Sequence, residues 1–265
     1  MTSFYLLFSF ILGTLIGSFL NVVAFRYNTG LTLKGRSKCF SCDKTLTWIE
    51  LFPIISFILQ GGSCRKCKSR ISWQYPLVEI CSGILFISVF YFFPPVSASA
   101  SFLTVFYLFI TCLLLIITIY DAKHKIIPDA LVYTFAIISF ARLFLASDLS
   151  FQVPSLSTLL AGPIAALPFF LLWLVSKGKW MGLGDAKLML GIGWTLGLAG
   201  SINSMVLAFW IAAAVSVIWM FVVIRKFKRH FEIPFGPYLI LGMYLVLFFN
   251  VQVFDVEVFM SLFRL

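Results

Sequence analysis

Long apolar runs constrain this chain more than any other feature. From Phe4 to Phe25 no charged residue occurs. Comparable runs lie near residues 77–93, 102–120, 130–147, 156–175, 186–200, 203–224 and 235–253. A bilayer's hydrocarbon core, about 30 Å thick, needs about 20 apolar residues per spanning helix. Within it a chain must satisfy its own backbone hydrogen bonds, which favours helices. Composition agrees: 61% of the 265 residues are hydrophobic and 11% charged, whereas soluble domains carry about 25% charged residues. The expected fold is an all-α membrane protein of about eight transmembrane helices. Met1-Thr2-Ser3 brings no basic start, and the first run is long enough to span, so it is expected to stay as a helix.

Basic residues set the orientation. They fall between the first and second runs (Arg26 to Arg70), between the third and fourth (Lys123, Lys125), around the fifth-to-sixth turn (Lys177, Lys179, Lys187) and after the seventh (Arg225 to Arg229). Only Arg142 and Arg264 lie elsewhere. With eight alternating spans, one face collects nearly all the positive charge. That face is expected to be cytoplasmic, with both termini outside. The net charge of +10 then reflects topology and contact with anionic lipid, not nucleic-acid binding.

Arg26–Tyr75 does not read as membrane. It holds four of the six cysteines. Its apolar stretch Leu51–Leu59 is too short to span and contains Pro53, so it reads as buried or interfacial. Cys39-Phe-Ser-Cys42 and Cys64-Arg-Lys-Cys67 form two C-x-x-C pairs. Two such pairs make a closed tetrahedral site suited to Zn²⁺. Lys38, Arg65, Lys66 and Lys68 favour the thiolate form. A closed site leaves no position for substrate, so the zinc is expected to be structural. Disulfides are the rival reading, disfavoured on the cytoplasmic side.

Acids near helix ends carry the candidate chemistry. Asp121 closes the third run and Asp185 opens the sixth, in Gly182-Leu-Gly184-Asp185. A carboxylate at membrane depth is costly and marks function by default. Two neighbouring carboxylates share a proton: one draws a proton from water while the other donates. Gly182 and Gly184 would let a substrate strand approach the backbone. Asp129, after Pro128, reads as a helix cap as well as a candidate supporting acid. Lys187 reads as snorkelling to the interface, or as steadying a carboxylate. Asn21 and Glu79 line a donor site or satisfy backbone groups. Gly193-Trp-Thr-Leu-Gly197 reads as a helix-packing pattern.

These motifs, in this order, resemble the bacterial type IV prepilin peptidases, which are intramembrane aspartyl proteases of the Gly-x-Gly-Asp class. The resemblance covers Gly17-Ser-Phe-Leu-Asn21-Val-Val-Ala-Phe-Arg26, both cysteine pairs, Tyr75-Pro-Leu-Val-Glu79, Asp121 with Ile127-Pro-Asp129, Gly182 to Lys187, and Ile233-Pro-Phe-Gly-Pro237. Phe40 stands where the family often has proline. Trp180-Met181 stand where a glycine often precedes the turn.

The resemblance implies cleavage of the basic leader of prepilins or pseudopilins by Asp121 and Asp185 at the cytoplasmic face of the bacterial inner membrane. It also implies N-methylation of the new terminus from S-adenosylmethionine, with a zinc-bearing cysteine domain. The implied division is a first transmembrane helix over 1–25, a Cys₄ domain over 26–75, a protease core over 76–253 and an outer tail over 254–265. Two other readings stay open: proteolysis alone, and a proton-coupled transporter. A transporter would place its acids nearer mid-span.

Overall fold

The computed structural model describes residues 3–30, 32–146, 148–221 and 234–254. The basic cluster Arg225 to Arg229 and most of the expected tail lie outside the described residues. The described chain is helical. Its only pairings of strand type are three isolated bridges. The helices are α1 (Ser3–Arg26), α2 (Ile55–Leu59), α3 (Gln74–Phe92), α4 (Ala98–His124), α5 (Asp129–Arg142), α6 (Leu156–Ser176), α7 (Leu183–Trp219) and α8 (Gly236–Phe249). Five of them, α1, α3, α4, α6 and α7, are long and apolar enough to cross a membrane. The chain divides into two compact units, Met1–Ile119 and Tyr120–Leu265.

In the first unit α1 packs along α3. Small residues make the contact. A Cβ at Gly13 would lie 2.8 Å from Ser82 O, and one at Gly17 would lie 2.7 Å from Ser82 Cβ. Without a hydrophobic drive between helices in lipid, such close backbone approach supplies the packing. Between these helices the chain forms two cysteine knuckles, a 3₁₀ turn at Trp48–Leu51 and the short α2.

In the second unit α7 touches α5, α6 and α8. Glycines again set the spacing: Gly193 meets Ala161 and Gly162 of α6, Gly191 meets the Phe135 ring of α5, and Gly242 of α8 meets Ser204. α6 is inside-out relative to a soluble helix. It buries Ala161, Gly162, Ala165 and Ala166 while Ile164, Leu167, Leu171 and Leu174 face outward. That distribution suits lipid as the solvent.

One expectation changes here. The stretches 186–200 and 203–224 correspond to two helical segments that follow each other within α7, and the break between them is at Gly197. Residues 201 and 202, between the two expected runs, are helical. Gly197 does not pack: no atom lies within 4 Å of its would-be Cβ, and its φ is 73° with ψ 178°. Only Gly193 of that pair is a packing residue.

Candidate active site and cysteine cluster

Each cysteine pair sits in a hairpin-like knuckle, and the two are built alike. Cys39 N–H donates to Lys44 O and Asp43 N–H to Cys39 O; likewise Cys64 N–H donates to Ser69 O and Lys68 N–H to Cys64 O. Lys38 bridges Thr45 as Ser63 bridges Arg70. The residue after each second cysteine turns left-handed, Asp43 at φ 51° and Lys68 at φ 59°. These turns aim four thiols inward, and all four Sγ atoms lie within 4.8 Å of one another. Cys39 and Cys67 are 3.8 Å apart. A tetrahedral site with Zn–S bonds of about 2.3 Å requires sulfur separations of about 3.8 Å. The donor set therefore fits zinc. The Ser41 N–H and then the Ser69 hydroxyl pull the Cys39 thiol down to about 6, readying it as a thiolate ligand.

Glu50 braces this domain. Its carboxylate accepts from Lys44 Nζ at 2.6 Å and from the Thr47 N–H and hydroxyl at 3.0 and 3.1 Å. Glu79, buried in α3, accepts a 2.8 Å hydrogen bond from Ile54 N–H. Asn21, buried on α1, donates to Tyr75 O at 3.4 Å. Both polar groups thus meet backbone in their own unit.

The two aspartates come together in the second unit. Asp121 lies in the last turn of α4 and is 4% exposed; Asp185 lies in the first turn of α7 and is 8% exposed. Ile127 joins their surroundings, lying against Gly184 beside Asp185 and against Gly236, whose N–H reaches Asp121. α7 begins at Gly182, its N-cap residue. Asp185 is therefore not the cap but the third helical residue, its N–H donating to Gly182 O at 3.3 Å. The α7 N-terminus favours negative charge there.

Gly236 N–H donates to Asp121 Oδ2 at 3.1 Å. Ile127 wedges between the glycines: a Cβ on Gly184 would lie 2.8 Å from Ile127 Cβ, and one on Gly236 would lie 3.2 Å from Ile127 Cδ1. The missing side chain of Gly184 thus admits Ile127. Gly182 has an ordinary extended φ of −75°, so nothing in its backbone demands glycine.

Asp129 is not a cap, and Lys187 meets a carboxylate. Pro128 is the N-cap residue of α5, without a side-chain cap. Asp129 instead pairs with Lys187 Nζ at 2.7 Å. Lys187 also lies over the Tyr133 ring, 4.9 Å from its centre. The lysine thus ties α7 to α5, 58 residues away in sequence. Gly236 and Ile127 had no assigned role in the sequence; Pro-Phe-Gly-Pro237 was the signal that marked the first.

Comparison with known proteins shows what the chain is similar to. Residues 11–93 match the bacterial peptidase A24 N-terminal domain, and residues 108–218 match the type IV leader peptidase family. A prepilin leader peptidase/N-methyltransferase of Neisseria gonorrhoeae is 30% identical over 86% of this chain and 84% of its own length. One from Bacillus subtilis is 28% identical over 96% of this chain and 98% of its own. One from Vibrio cholerae is 24% identical, covering 94% and 98%. No solved structure matches the chain significantly. With both domains matched in order across most of its length, the chain belongs to the type IV leader peptidase family.

Proposed function

We propose that this chain cleaves the leader peptide of type IV prepilins or pseudopilins with Asp121 and Asp185, and then methylates the new N-terminus. The observation that carries the reading is the burial of these two aspartates at helix ends, on either side of Ile127 and Gly236, in a chain of this family. Such a pair titrates as a unit, sharing a proton. One carboxylate takes a proton from the attacking water, and its partner protonates the departing amine. Gly236 N–H and the α7 N-terminus keep the two acids in place.

Eight crossings complete this reading. α1, α3, α4 and α6 supply four, the segments of α7 on either side of Gly197 two, and α5 and α8, of 14 residues each, the last two, the short helices crossing by local thinning of the bilayer and by their flanking residues. Both acids then open on the basic, cytoplasmic face of the inner membrane. Cys39, Cys42, Cys64 and Cys67 hold a structural Zn²⁺. Methyl transfer, with S-adenosylmethionine as donor, belongs to the N-terminal domain matched over residues 11–93. Glu79 and Asn21 lie within it.

The test is cleavage of a co-expressed prepilin. Wild type yields a shortened product, whereas Asp121→Asn and Asp185→Asn leave the precursor whole. Full processing by either variant overturns the assignment. Mass spectrometry of the cleaved product tests the second activity: an N-terminus lacking the methyl group confines the chain to proteolysis.

A further inference from the structure

The segment linking the knuckles turns apolar side chains outward. Trp48 is 74% exposed, Ile58 69% and Leu59 64%, and Ile55 is half exposed. Trp73, at the entry to α3, is exposed as well. Water is a poor partner for such a group. The flanking chain is basic, with Lys34, Arg36 and Lys38 before it and Arg65, Lys66 and Lys68 after it.

One hydrogen bond sets the depth of this segment. Ile54 N–H donates to Glu79 Oε2 at 2.8 Å. α3 has 19 residues, a length of about 28 Å at 1.5 Å per residue. That barely matches the hydrocarbon layer, so the whole helix is needed to cross. Glu79 lies five residues beyond Gln74, about 7 Å inside the helix end. Ile54 is therefore held at or just below the hydrocarbon edge, and α2 starts there.

The backbone at Ile54 reports the same constraint. Its φ is 62° and ψ −54°, and Ile55 N–H donates back to Pro53 O. This tight three-residue turn is strained for a β-branched residue. Strain of this kind persists only where its surroundings impose it. The turn lets the chain descend to Glu79 and reverse into α2.

We infer that Trp48–Leu59 is an interfacial anchor that inserts its apolar side chains at the headgroup level of anionic phospholipid. The inference rests on α3 spanning the bilayer. Tryptophan is enriched at that level, and short apolar faces flanked by Lys and Arg bind there through area and charge together. The knuckles, one on each side of the anchor in sequence, are thereby tethered at the membrane surface.

Photocrosslinking tests this on the full-length chain in vesicles of three parts phosphatidylethanolamine to one part phosphatidylglycerol. p-Benzoylphenylalanine replaces Ile58, Leu59 or Ile84 one at a time. Ile58 and Leu59 are expected to give phospholipid-mass adducts, with phosphatidylglycerol enriched about twofold over its share. Ile84, on the outward side of α3, controls for spanning. Adducts at Ile84 but at neither Ile58 nor Leu59 overturn the anchor alone. No adduct at any of these sites overturns the spanning reading and the anchor with it. Crosslinking of Ile58 and Leu59 to a co-expressed prepilin in place of lipid makes the surface a protein site and overturns the lipid assignment.

Discussion

Asp121, in the last turn of α4, accepts a 3.1 Å hydrogen bond from the backbone N–H of Gly236, the first residue of α8. A helix N-terminus carries free N–H groups and a partial positive charge, so α8 presents a fixed donor to this carboxylate. The approach depends on the absence of a side chain. A Cβ on Gly236 would lie 2.7 Å from Asp121 Oδ2. Gly236→Ala is therefore expected to push the carboxylate out of position while leaving α8 helical, since alanine favours helix more than glycine does. A displacement near 1 Å at a reacting group costs up to about a hundredfold. Prepilin cleavage should fall between about tenfold and a hundredfold, with bound zinc unchanged. Wild-type turnover by Gly236→Ala would show that this bond does not position Asp121.

The parts of this site that could be read from the sequence are those carried by rare residues. Asp121 and Asp185 stand out because an apolar chain has few acids, and the cysteines because two C-x-x-C pairs admit few other uses. What the sequence withheld depends on contacts far along the chain. Gly236 reaches Asp121 across 115 positions and Lys187 reaches Asp129 across 58, and no local pattern announces either. Local logic instead suggested a cap for Asp129 and snorkelling for Lys187. The helix break at Gly197 was hidden for another reason. A glycine in an apolar run has the same hydropathy whether it packs against a neighbour or turns the chain.

Metal removal should separate the two halves of the chemistry. The four thiols lie in the Met1–Ile119 unit, and Asp121 and Asp185 in the Tyr120–Leu265 unit. The purified chain is expected to hold about one zinc per molecule, as a closed four-thiolate site does. Cys64→Ser removes a buried ligand and should release it. A chelator should likewise make Cys39, Cys42, Cys64 and Cys67 reactive toward maleimide. Cleavage by Cys64→Ser should fall far less than in Asp185→Asn. Elemental analysis and the cleavage assay on the same preparation check both parts; zinc retained by Cys64→Ser contradicts the ligand set.

Glu50 gives the cysteine domain a defined acid dependence. The Lys44 ammonium, and after it the Thr47 N–H, hold its carboxylate at about 2 against an ordinary 4.5. A carboxyl depressed on folding contributes stability above its unfolded value and loses it as pH falls through the folded one. The contribution is complete at neutral pH and fades from about 4.5 toward about 2. Glu50→Gln should lower the melting temperature at neutral pH, and the gap from wild type should close through that window. Comparing the two proteins cancels the acid loss of zinc that both share. A gap that stays constant from neutral pH down to about 2 removes the charge on Glu50 as its cause.

Gly193 and Gly197 should respond differently to the same substitutions. A Cβ at Gly193 would lie 2.6 Å from Ala161 O and 2.7 Å from Gly162 Cα. Those are backbone atoms, so α6 and α7 must separate, and the cost should grow with the volume added. Gly193→Ala is expected to cost about 1–3 kcal/mol and Gly193→Leu considerably more. At Gly197 space is open, but φ 73° with ψ 178° belongs to a region almost confined to glycine. Any side chain meets the same backbone penalty there, about 1–3 kcal/mol, whatever its size. Gly197→Ala and Gly197→Leu should therefore destabilise nearly equally. Thermal unfolding of the four variants in one detergent decides the matter. A cost at Gly197 that climbs with side-chain volume would make it a packing residue after all and move the origin of the α7 break elsewhere.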